Sequence, residues 1–162
     1  MTRLTHSIRV PYPPRILVEQ YFDFEHLPYV HPGTLGSAEV VEIGGRRVVA
    51  DLRFPIVGSL RGRSRFRQEF VPPDRVEVEV VAGLGRGTRY AAEFVPSGEG
   101  TLVRETLLIP GFLGWIAGLA RAPILARIRE VWREDLDVKM CRGGTPGIEA
   151  AEIAPSEIVA GG

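Results

Sequence analysis

From Leu60 to Phe70 the chain reads LRGRSRFRQEF, in which every second residue is Arg or Glu and those between are Leu, Gly, Ser, Phe, Gln and Phe. On a helix this order would spread charge around the whole circumference. On a strand, successive side chains point to opposite faces, so the charges separate cleanly from the rest. The segment therefore predicts a half-buried antiparallel strand, with Leu60, Gly62, Ser64, Phe66, Gln68 and Phe70 on the inner face. The outer row of Arg61, Arg63, Arg65 and Arg67 is expected to be solvated and paired with glutamates such as Glu77 and Glu79.

The same period of two runs from Ser37 to about Leu108. Val48, Ala50, Leu52 and Phe54 alternate against Arg47, Val49, Asp51 and Arg53, and Val76, Val78 and Val80 continue the pattern. Tyr90, Ala92 and Phe94 mark another strand, and residues 101–108 a further one. Turn signals at Pro72-Pro73-Asp74, Gly83 to Gly87 and Pro96 to Gly100 divide the region into about six strands in a meander.

The flanks read differently. Residues 4–11 predict a first strand, and Pro13-Pro14 open a short helix from about Arg15 to Phe22. A second short helix is expected next, with Asp23 as its N-cap and Pro32-Gly33 as its stop. After Pro110-Gly111 the pattern is helical again, and Pro123 either kinks that segment or starts its main helix. Ile124, Ile128, Val131, Asp135 and Val138 share one helical stripe, which sets an acid among aliphatics. The chain is read as one domain over residues 1–141, followed by a flexible Gly-, Ala-, Pro- and Glu-rich tail over 142–162.

Twenty basic residues balance twenty acidic ones, so no electrostatic footprint for general nucleic-acid or anionic-membrane binding is expected. A single cysteine, Cys141, excludes an internal disulfide framework, a zinc ribbon and an internal iron–sulfur cluster. The apolar tract from Ile109 to Leu125 is broken by Arg121 and Pro123, so no membrane span is expected. Together these features predict a cytoplasmic protein. Phe112, Trp115 and Trp132 are read as core or cavity wall.

Function is signalled most strongly between Glu19 and Leu35. This stretch carries Glu19, Asp23, His26 and His31, and with them two of the three histidines of the chain. Closely spaced imidazoles backed by carboxylates are the groups that hold a divalent metal. On a regular helix His26 and His31 would lie about 140° apart, so a shared ion requires the segment to bend or end between them. Pro28 and Pro32 supply such irregularity. An Asp in an apolar stripe, as at Asp135, must be paired, protonated or coordinated.

The order of strand, two short helices, six-stranded meander and long C-terminal helix resembles the SRPBCC (START-like) superfamily over residues 4–140. That resemblance implies an α+β helix-grip fold, a curved antiparallel sheet of six to seven strands wrapped around a long C-terminal helix, with a cavity between them. The spacing Glu19, three residues, Asp23, two residues, His26, four residues, His31 further resembles the mononuclear-iron motif of Rieske-type ring-hydroxylating oxygenases. By that resemblance Fe(II) would be held by His26, His31 and Asp135, with Asp23 and Glu19 orienting the imidazoles and Asp23 on the electron route. A Rieske domain is lacking, so electrons would come from a separate redox partner. The substrate would be a hydrophobic or aromatic small molecule.

Each residue also has a plainer reading. Asp23 can cap a helix, His26 can sit on a surface turn, His31 can belong to a turn before proline, and Asp135 can pair with Arg15, Arg127 or Lys139. The alternative function is a metal-free ligand-binding or polyketide cyclase-like protein. Its cavity would hold a lipid or polyketide oriented by Ser64, Gln68, Tyr90 and Arg104.

Overall fold

Seven antiparallel strands form one sheet, and the alternation in the sequence accounts for most of it. The computed structural model describes residues 1–24, 27–31, 37–57, 60–98 and 100–142. In chain order these form β1 (Thr2–Val10), α1 (Pro14–Phe22), α2 (Leu27–Val30), β2 (Ser37–Gly44), β3 (Arg47–Val57), β4 (Leu60–Val71), β5 (Arg75–Gly83), β6 (Arg89–Ser97), β7 (Gly100–Ile109), α3 (Gly111–Leu119) and α4 (Arg121–Arg142). The spatial order is β1-β7-β6-β5-β4-β3-β2. Strands β2 to β7 are thus a plain meander, and β1 closes its far edge by pairing with β7, Leu4 opposite Leu107 and Ile8 opposite Val103.

Strand β4 follows the expected parity: Gly62, Ser64, Phe66, Gln68 and Phe70 are buried, and the Arg and Glu between them are exposed. On the outer face Arg65 and Arg63 both bond Asp51 across the β3–β4 pair, at 2.7 and 2.8 Å, and Arg67 bonds Glu79. The two hydrogen-bonded guanidiniums hold the Asp51 carboxyl below the usual carboxylate range. Glu77 pairs instead with Arg75 of its own strand.

Irregularities bend the sheet. Register shifts fall at Val40/Glu42, Pro55/Val57 and Arg65/Phe66, and an extra residue on one strand increases local twist and curvature. Gly83 ends β5 with φ +83°, and a Cβ there would lie 2.4 Å from the Arg63 carbonyl oxygen. Only glycine fits that approach. It lets the Leu84 N–H bond the Arg63 carbonyl and carries the following turn across the end of the sheet.

The concave face is covered by α1 and α4. Helix α1 starts with Pro14 in its first turn and buries Leu17, Val18 and Phe22 against a core that includes Phe70, Val76, Phe94, Val103 and Trp132. Asp23 is the C-cap of α1, its N–H bonding the Gln20 carbonyl, and not the N-cap of α2. The reason is that α1 runs to Phe22 and α2 begins only at Leu27. Helix α4 begins at Arg121 with Pro123 in its first turn, where a missing N–H leaves no hydrogen bond unmade. It meets α3 at an 86° bend. Among the described residues no single helix is long and apolar enough to cross a membrane.

Candidate functional site: a cavity with two buried polar clusters

Between sheet and helices lies a cavity of about 640 Å³. Leu52, Phe54, Phe66, Val78 and Val80 line it from the sheet, Leu17 from α1, and Ile128, Val131 and Trp132 from α4. These walls follow from strand parity and from the 124–128–131–135 stripe, which turn apolar side chains toward each other across a space they do not fill.

The first polar cluster centres on Glu105 of β7, which is 5 % exposed and lines the cavity. Its Oε1 accepts hydrogen bonds from Trp132 Nε1 at 2.8 Å, Tyr90 OH at 2.5 Å and Tyr21 OH at 3.1 Å. Its Oε2 lies 3.0 Å from His6 Nδ1. The two phenol oxygens are themselves 2.5 Å apart, so the Tyr21 proton is shared between Tyr90 and Glu105. Burial raises the Tyr21 phenol well above its ordinary value, and the Glu105 charge adds to the shift. Burial does the same to Tyr90, helped by Tyr21 and Glu105. Both phenols remain neutral hydrogen-bond donors across the physiological range.

The second cluster centres on His31, which follows α2 and is 1 % exposed. Its Nδ1 lies 2.7 Å from Glu134 Oε2 and its Nε2 lies 3.0 Å from Asp135 Oδ1. An imidazole donates from both nitrogens only when protonated. Burial works against that charge, but the hydrogen bonds and charges of Asp135 and Glu134 together outweigh it and raise the His31 pKa. A histidine whose pKa is raised on folding contributes stability that is full below the unfolded value of about 6.5 and is lost as pH rises through the folded value. Urea midpoints of the wild type are therefore expected to fall from pH 6 toward pH 9, and His31→Gln to flatten that slope. Parallel pH profiles for the two proteins would contradict this reading.

Gln20 adds an unsatisfied group. It is 8 % exposed and lines the cavity, and its Oε1 is buried without a hydrogen-bond partner among the described residues.

The model of the family "Polyketide cyclase / dehydrase and lipid transport" matches residues 1–136. The chain belongs to that family. Solved structures similar to this chain include a protein of Thermus thermophilus, at 20 % identity and TM-score 0.70, covering 88 % of this chain and 99 % of that one. The Zhui aromatase/cyclase of a Streptomyces strain matches at 18 % identity and TM-score 0.60, covering 83 % and 88 %. Norcoclaurine synthase of Thalictrum flavum matches at 17 % identity and TM-score 0.60, covering 85 % and 87 %. At these identities the likeness shows the fold alone. No curated protein sequence matches the chain significantly.

Within this fold the expected site residues separate. His31 and Asp135 meet, and both line the cavity together with Asp23, Ser64, Gln68 and Tyr90. His26 lies outside the described residues. Glu19 is buried but bonds Arg15 at 2.9 Å and does not line the cavity. Asp135 pairs with His31, whereas Arg127 bonds Glu130. Ser64 Oγ donates to the Leu84 carbonyl and Gln68 Nε2 to the Tyr21 carbonyl, so the Ser64 hydroxyl and one N–H of Gln68 are engaged by the fold.

Arg104 is exposed on the outer face and Glu105 takes the inward place, because Thr101, Val103 and Glu105 share the buried parity of β7. Phe112 and Trp115 are 71 % and 62 % exposed, and are neither core nor cavity wall; only Trp132 is buried. Among the described residues no group of three or more His, Cys, Asp or Glu side chains is placed to hold a metal ion. Family membership carries the helix-grip part of the resemblance and lends no support to the oxygenase motif. Sequence reading missed Glu105, Tyr21, Gln20, Glu134 and His6. The one available signal was a Glu at inward parity between Val103 and Leu107.

Proposed function

We propose that this domain binds an apolar small molecule bearing a hydroxyl group, polyketide-like or lipid-like, in the cavity between sheet and α4. The observation that carries the reading is a largely apolar cavity of about 640 Å³ whose lining includes Gln20, a residue whose buried Oε1 has no hydrogen-bond partner among the described residues. Buried acceptors are costly to leave unpaired, and a ligand hydroxyl would satisfy this one once the amide turns toward the cavity. The cavity is within the size range of small-molecule sites. The family description and the aromatase/cyclase among the similar folds support a polyketide or lipid as the ligand class. In this reading the apolar wall sets affinity and Gln20 orients the hydroxyl.

A Trp115→Phe variant leaves Trp132, a cavity residue, as the only indole. Its fluorescence is expected to be quenched saturably by 2-naphthol. Gln20→Leu should weaken 2-naphthol about three- to tenfold, the value of one hydrogen bond, while leaving naphthalene unaffected. Absence of saturable quenching by either compound up to its solubility limit would overturn the proposal.

A second reading is favoured by the meeting of His31 and Asp135 at 3.0 Å from opposite ends of the chain. In it those two residues and His26 hold Fe(II), a separate redox partner delivers electrons, and the same cavity takes the substrate. Ligation requires a neutral imidazole, so His31 would have to give up a carboxylate contact on metal binding. Elemental analysis after anaerobic iron loading decides it: near-stoichiometric iron that His31→Ala or Asp135→Ala removes supports this reading, and equally metal-free proteins end it.

A further inference from the structure

Helix α3 is built the opposite way round from an ordinary surface helix. Its two buried residues are small, Gly114 and Ala117, and a Cβ on Gly114 would stand 2.3 Å from the Ile109 carbonyl oxygen. Its large apolar residues face outward: Phe112, Trp115 and Leu119 are 71 %, 62 % and 73 % exposed, and the first two rings stack on each other at 5.7 Å. Leu84, in the turn after β5, is 47 % exposed, and this turn reaches α3, since a Cβ on Gly87 would touch Pro110. Leu84 and Leu113 both border the cavity as well.

The charge around this patch is one-sided although the chain is neutral overall. Residues 106–129 and 80–92 contain no Asp or Glu, and they supply exposed Arg86 and Arg121 next to the apolar surface. Nine helical residues reach only about 13 Å, too short to cross a hydrocarbon core of about 30 Å but suited to lying in its interface. Aromatic rings ringed by arginine are the groups that seat at a headgroup boundary.

We propose that α3 and the Leu84 turn dock the protein on an anionic lipid surface, with the cavity wall at the contact. The partner is the bilayer surface itself, chosen over a second protein because the patch combines interfacial aromatics with arginines on two segments that carry no acidic residue.

The test is co-sedimentation of the full chain with vesicles of phosphatidylcholine containing roughly one third phosphatidylglycerol, against phosphatidylcholine alone. Wild type should bind the anionic vesicles at least tenfold more tightly. Phe112→Ser/Trp115→Ser should lose at least tenfold on both, and Arg86→Glu/Arg121→Glu should remove the anionic preference. Because these side chains are exposed, far-ultraviolet circular dichroism should be unchanged in all variants. The proposal is overturned if the serine variant sediments like wild type. It is equally overturned if wild type binds no vesicles while forming a concentration-dependent dimer that the serine variant abolishes.

Discussion

Replacing Glu105 by Ala should lower the unfolding free energy by about 3–5 kcal/mol, the loss seen when one member of a buried charged network is removed. Four donors or potential donors converge on this carboxylate, from Trp132, Tyr90, Tyr21 and His6, and they come from β1, α1, β6 and α4. Alanine leaves those groups without their acceptor in a region water does not readily reach. Urea unfolding measures the change, and a difference within about 0.5 kcal/mol of wild type would refute the role of Glu105 as a hub. Glu105→Gln should cost less, since one carbonyl oxygen still accepts. It should also bring the Tyr21 phenol back toward its ordinary value, because part of that shift comes from the Glu105 charge. Ultraviolet difference titration reads this directly. A residue that merely filled space would change stability without moving the phenol.

Filling the cavity should abolish ligand binding while leaving the fold intact. Val78 lines it from β5 and Val131 from α4, so Val78→Trp/Val131→Trp brings two indoles into the space from opposite layers. Binding of 2-naphthol, followed calorimetrically, is expected to weaken by about a hundredfold or more, roughly 2.7 kcal/mol. Thermal unfolding should stay close to wild type because the added rings enter empty volume and not a packed core. Retained binding in a folded double variant would place the ligand elsewhere.

The two substitutions probe different parts of the site, and these differed in how legible they were. Strand β4 was readable because its charges occupy only one parity, so a single register keeps Arg61 to Arg67 in water. Strand β7 was not. Leu102, Thr106 and Leu108 on one parity oppose Thr101, Val103 and Leu107 on the other, and each side carries one ionisable residue, Arg104 or Glu105. Burying either is unfavourable in isolation. Glu105 goes inside because Tyr21, Tyr90 and Trp132 are there to bond it, and those partners are 84, 15 and 27 residues away. Helix α3 was misread for a related reason. GFLGWIAGL is apolar all round, so composition alone points to burial, whereas Gly114 and Ala117 let the helix settle closely on β1 with its large residues outward.

The order of elements, the meander and the inward parity of β4 were set by the sequence alone, because they arise from local periodicity and from proline and glycine at the joints. The helix-grip fold followed from that order. Only the tertiary structure decided that His31 would lie between Glu134 and Asp135, that Glu105 would gather two phenols and an indole, and that Gln20 would be buried in the cavity wall. A buried polar group is placed by the partners that offset its desolvation, and partners distant in the chain become neighbours only when the sheet has bent and α4 has closed over it.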